Sequence, residues 1–162
     1  VHRGLTALLA AAGLALAGCG TPASGSPESP EITFYAHGES IRVEAAQFCN
    51  AIGTECSPPN PDAIGDLRVP PGSPVQISVP SEVSSAPWQV AMMYRLPNGQ
   101  EVADRSSVFT PDERRTYTAR PPADDAQFTR VEVQQYSGVL LPAEDGGIQF
   151  ALAGTWVVTP QS

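Results

Sequence analysis

The 162-residue sequence predicts an all-β domain: an antiparallel β-sandwich of the immunoglobulin-like or fibronectin-III-like kind, with a small β-barrel as the alternative. Three observations predict it. The chain carries Pro 17 and Gly 14, and these turn-formers punctuate short apolar runs as closely spaced strands require. Within the runs apolar residues alternate at a period of two, which buries one face of a strand. No amphipathic segment is long enough for a substantial helix.

Taken in order, "ITFYA" and "SIRVEA" flank the polar turn His37-Gly38-Glu39 and make a first hairpin. "VQISV" alternates cleanly, with Val75, Ile77 and Val79 on one face and Gln76 and Ser78 on the other. "WQVAMMY" places Trp88, Val90, Met92 and Tyr94 on one face, and a Trp at the start of a central strand suits an immunoglobulin-like arrangement. Met92 is then expected in the core and Met93 outside it. Pro97-Asn98-Gly99 turns the chain, Asn-Gly being the strongest short hairpin signal, and "QEVADRSSVF" returns. "RTYTA" is a further short strand, and "FTRVEVQQY" alternates through Thr129, Val131 and Val133. "IQFALAGTWVV" closes the domain, with Gly154 marking a bulge or a close approach. Two connections carry a helical turn: Ser81-Glu82-Val83 after Pro80, and the capping-box pattern Thr110-Pro111-Asp112-Glu113.

The charge balance sets two partner classes aside. The net charge is −8, and every cation is arginine. A basic footprint for nucleic acid is missing, and anionic lipid headgroups would repel such a domain.

The amino end reads "VHRGLTALLAAAGLALAGC": a short positive segment, then an apolar run from Gly4 to Ala17 broken by Thr6. A spanning helix needs about 20 apolar residues, and this run is shorter, with the proportions of a secretory signal. Leu16-Ala17-Gly18-Cys19 resembles the lipobox of bacterial lipoproteins. That resemblance implies acylation of the Cys19 thiol and cleavage just before it. Residues 1–18 are therefore expected to be a signal peptide, 19–30 the lipidated cysteine and a Pro/Ser/Gly tether, and 31–160 the β-sandwich domain. Cleavage removes Arg3 and leaves eight arginines against 17 acids, a net charge of −9. The expected location is the extracytoplasmic face of the cell membrane, held through the lipid anchor at Cys19.

Cys49 and Cys56 are then the remaining thiols, bracketing "NAIGTE" with a Gly in the middle. In an oxidising compartment a disulfide is the default, since the six intervening residues fit neither a redox Cys-x-x-Cys nor a common zinc site. Closing such a loop stabilises by about 2.5 kcal/mol on the chain-entropy formula.

Catalytic chemistry is poorly supplied. Without lysine there is no Schiff base, Ser–Lys dyad or phosphate-loop lysine. After cleavage His37 is the remaining histidine, and no Gly-x-Ser-x-Gly elbow accompanies it. Acidic pairs stand at Asp112-Glu113, Asp124-Asp125 and Glu144-Asp145, each beside Pro, Ala or Gly in a turn-like setting. A carboxylate-based hydrolase would need two of them to converge. No cofactor, metal or catalytic residue is assigned.

The segments "FCNAIGTEC", "VQISVPSEVSSAPWQV" with Tyr94, "RSSVFTPDERRTYT" and "TRVEVQQYSG" together resemble an actinobacterial family of lipoproteins of unknown function, found in mycobacteria, nocardiae and their relatives. The resemblance implies lipidation at Cys19, a Cys49–Cys56 link and a cell-envelope location, and transfers no catalytic residue. The expectation is a non-enzymatic binding or assembly module whose partner is an envelope protein, glycan or lipid, acting through loops 80–87 or 141–147. The alternatives are a carrier of a lipid or other amphiphile and, behind it, the carboxylate hydrolase.

Overall fold

The computed structural model describes residues 29–143 and 146–162. Cys19, the expected signal peptide, all but the end of the expected tether, and the pair Glu144-Asp145 lie outside the described residues.

Among the described residues ten strands form two sheets. They are β1 Ile32–Ala36, β2 Glu39–Val43, β3 Gln47–Phe48, β4 Gly65–Arg68, β5 Val75–Ser78, β6 Trp88–Arg95, β7 Glu101–Arg105, β8 Thr116–Ala119, β9 Gln127–Pro142 and β10 Ile148–Gln161. One sheet has the order β2-β1-β5-β8; the other runs β3-β10-β9-β6-β7, with β4 also paired to β10. The chain crosses between sheets from β2 to β3, β4 to β5, β5 to β6, β7 to β8 and β8 to β9. These crossovers are the Greek-key connections of an immunoglobulin-like sandwich, and the sheets do not close into a barrel.

The alternating faces predicted for the strands are the faces that meet. Val75 and Ile77 are buried while Gln76 and Ser78 are exposed, and Trp88, Val90, Met92 and Tyr94 all enter the core. Met93 is exposed, as its parity requires. Trp88, Trp156, Phe34 and Phe128 are the largest fully buried side chains. Each large apolar side chain removed from water contributes about 1.5–3 kcal/mol, so these rings dominate the core. Trp88 packs edge-on against Phe109 at 4.7 Å between centroids. In antibody domains the corresponding tryptophan covers an inter-sheet disulfide; here the disulfide lies elsewhere.

Four local details depart from expectation. "GDLR" forms β4, which runs parallel to β10 from Val158↔Gly65 to Gln161↔Arg68, so the second sheet is not purely antiparallel. It is short and carries a charge on each side of Leu67, which leaves little periodic signal. The strand returning from Asn98-Gly99 stops at Arg105, because the Val90 amide turns to the Ser106 hydroxyl and Phe109 re-joins the sheet as a single bridge to Trp88. Thr110-Pro111-Asp112-Glu113 makes a turn and not a helix. The Glu113 carboxylate accepts from the Thr110 amide, but Asp112 sits at φ 59, where no helix continues. Finally, β9 does not end at Tyr136 but continues to Pro142, pairing again with β10 from Leu140 to Pro142 after a register shift. The helical turn after Pro80 does form, as α1, Ser81–Ser84.

Gly154 is both a bulge neighbour and a close approach. The β9–β10 register shifts between Leu152 and Gly154. A Cβ at Gly154 would lie 2.5 Å from Cη2 of Trp156, so the buried indole needs a glycine there.

Candidate functional site

Strand directions sort the loops into two ends. Trp88 pairs with Gln135 and Arg95 with Gln127, so β9 runs toward the end where β6 begins. α1 stands at that end, since it joins β5 to β6. The turns at His37-Gly38 and Asn98-Gly99 lie at the opposite end. Ser29 and Glu31 share a groove with Phe48, and Pro30 and Glu31 share another with Pro80 and Glu82. The chain therefore enters at the α1 end. The indole N–H of Trp156 donates to the Pro30 carbonyl at 2.7 Å, and the Ser29 hydroxyl accepts from the Ala45 amide, fixing that entry.

Three segments converge there on an open cleft of about 590 Å³, lined by Phe48, Cys49, Ala86, Pro87, Gln135 and Ala153 among others. The first wall is the Cys49–Cys56 loop, closed by the disulfide at an S–S distance of 2.01 Å. Within it the Asn50 side chain accepts from the Thr54 amide and donates to the Thr54 hydroxyl. The Cys49 amide donates to the Ala153 carbonyl and pins the loop to β10. The second wall is α1. Gln135, buried on β9, donates its amide to the carbonyls of Glu82 and Val83 at 2.8 and 3.1 Å, satisfying groups a short helix leaves open. The third wall is the β9–β10 ribbon itself, tied to the α1 segment by the Tyr136 amide donating to the Pro87 carbonyl.

Beyond the cleft β9 and β10 leave the sandwich as a two-stranded arm. Phe150 pairs with Leu140 and Ile148 with Pro142, so these four share one face, and a register shift separates them from the Leu152–Tyr136 pair. Ile148 is 73 % exposed, Leu140 55 % and Phe150 51 %. Val139 and Leu141 point to the other face and are exposed as well. Large apolar side chains are thus uncovered on both faces of one arm, the kind of patch that marks an interaction surface.

Below the arm the same outer face of the sheet is polar. Gln89 donates to Gln134, Gln134 donates to Glu132, and Arg130 places two donors on Glu132 at 3.0 and 2.8 Å. Tyr136 sits at the boundary, and burial pushes its hydroxyl above the usual phenol range. Glu113 is held below the usual carboxylate range by the Thr110 amide and hydroxyl.

The residues weighed for chemistry are not gathered. His37 lies in the β1–β2 turn at the far end. The Asp112 amide donates to Ser84 at the α1 end, whereas Asp124 abuts Gly72, just before β5 begins at the other end. These two acidic pairs therefore stand apart, and among the described residues no group of three or more His, Cys, Asp or Glu is placed to hold a metal. No helix among them is long and apolar enough to cross a membrane.

Sequence reasoning singled out loops 80–87 and 141–147, the second of which takes in the end of the arm, but did not read residues 137–142 as a strand. Its signal was present: "VLLP" and "IQFAL" flank Asp145-Gly146, and Asp-Gly between apolar runs marks a hairpin. Gly138 and Pro142 made the first run read as loop.

Fold and site define a class: a two-sheet β-sandwich with an exposed apolar arm and an open cleft at the end where the chain enters. The chain belongs to the family described as a protein of unknown function, DUF2771, which residues 25–161 match. It is 37 % identical over 106 residues to uncharacterized proteins of Mycobacterium bovis and of two strains of Mycobacterium tuberculosis. The match covers 65 % of this chain, and the chain spans 60 % of the length of each relative. No solved structure matches.

Proposed function

We propose that the mature protein is a lipoprotein anchored at Cys19 on the extracytoplasmic face of the cell membrane, serving as a non-enzymatic binding or assembly module of the envelope. The anchor rests on the signal-like run of residues 1–18 and the Leu-Ala-Gly-Cys pattern. The binding role rests on one observation: three segments distant in sequence converge on an apolar-floored cleft. Loops set on a rigid sandwich are how this fold recognises partners, here an envelope protein or glycan.

The test is crosslinking of the full chain in its own membrane. A specific envelope partner should be recovered, and Ser85→Arg, an exposed change at the cleft mouth, should abolish its capture while Asn98→Arg at the far end leaves it intact. Capture that is absent, or indifferent to Ser85→Arg, contradicts the proposal.

A further inference from the structure

We propose that the outer face of the β2-β1-β5-β8 sheet is a docking surface for a neutral polysaccharide chain. It belongs to the sheet opposite the cleft floor, which β9 and β10 supply, so this surface and the cleft can fail separately.

Register builds the surface. Ser40, Tyr35, Gln76 and Thr118 are cross-strand partners and form one outward row across the four strands. Thr33, Ser78 and Thr116 form the next row, which ends on Arg42. Each row spans about 14 Å at the usual strand spacing. Two open depressions of about 400 and 270 Å³ meet on the face, sharing Thr33 and Ser78, and lead from Pro80 to Tyr35 and Thr118. A long open trough takes an extended chain, whereas a compact ligand is buried in one concave pocket.

Chemistry names the occupant. In a chain with 17 acids, no carboxylate stands in either row. Arg42 is the one charged side chain in them, and Glu31 stands 3.7 Å from it. The hydroxyls of both rows and the Gln76 amide have no hydrogen-bond partner among the described residues. The outer face of the other sheet differs, since there Gln89, Gln134, Glu132 and Arg130 bond to one another. Hydroxyls and carboxamides both donate and accept, which matches sugar hydroxyls better than any ion. Tyr35, 41 % exposed, stands between Ser40 and Gln76. Its ring gives the apolar C–H face of a sugar a platform, while the phenol hydroxyl remains a polar contact. A protein partner is held by a cluster of buried anchors, and this face offers one aromatic. A polyanion is repelled by the net charge of −8.

The experiment is native affinity electrophoresis of the full chain in gels containing soluble glucan, mannan, galactan or arabinan, with polygalacturonate as the anionic control. At least one neutral polymer should retard the chain, and polygalacturonate should not. Tyr35→Ala should weaken the retardation about tenfold, and Tyr35→Phe by no more than about threefold. Met93→Ala, exposed on the other sheet, should leave it unchanged. Thr118→Arg, an exposed change on the edge strand β8, obstructs the trough and should abolish retardation. It decides the matter alone if Tyr35→Ala does not fold. The proposal is overturned if no neutral polymer retards the chain or if polygalacturonate retards it equally. Retardation indifferent to Thr118→Arg, or to a folded Tyr35→Ala, overturns it as well.

Discussion

Gly154 carries more of the fold than its size suggests. Trp156 is fully buried, its ring lies where a Gly154 side chain would be, and its N–H holds the entering chain at Pro30. Gly154→Ala forces the indole to shift within a packed core, a cost of about 1–3 kcal/mol. Gly138 has nothing within 4 Å of its would-be Cβ, so Gly138→Ala should change stability by less than about 0.5 kcal/mol. Urea denaturation of both variants checks the contrast. That Gly154 marks a bulge or a close approach was legible from a glycine inside a strand pattern. Which ring it accommodates was not, because that depends on a register shift two residues away.

Among the elements, the disulfide loop and the arm differ in how they declare themselves. The cysteine pair is legible because its spacing fits neither a redox nor a common zinc motif, and the bond is there. Reduction, or the double change Cys49→Ser and Cys56→Ser, should lower stability by about 2.5 kcal/mol, mainly by freeing the unfolded chain. Denaturation of the oxidised and reduced protein measures it. Strands with clean alternation, such as β5 and β6, were read correctly because one face is buried and the other wet. The arm was not, since its apolar residues serve no core and follow no one-sided pattern. β4 failed for the opposite reason: one buried residue, Leu67, between two charges gives a period nothing to act on. Thr110-Glu113 shows a local motif overridden by its surroundings, the side-chain bond forming without the helix.

At the scale of the molecule, the sandwich is polarised. Chain entry, disulfide loop, α1, cleft and arm share one end, while β10 finishes beside β4 at the other, where the Val69 amide donates to the Gln161 carbonyl. The class of fold was legible, since alternation and turn spacing are local properties. The gathering of the cleft was not, because strand order decides which loops meet, and pattern does not encode order. If the domain is tethered at Cys19, this polarity gives it a membrane-proximal and a distal face, and the cleft lies on the proximal one. The anchor is therefore the premise to test first. Mass spectrometry of the mature protein extracted from its native membrane should find an amino terminus at Cys19 carrying a diacylglyceryl thioether, with Cys19→Ala releasing the chain from the membrane fraction. A mature chain that retains residues before Cys19, or carries an unmodified Cys19 thiol, would contradict the account.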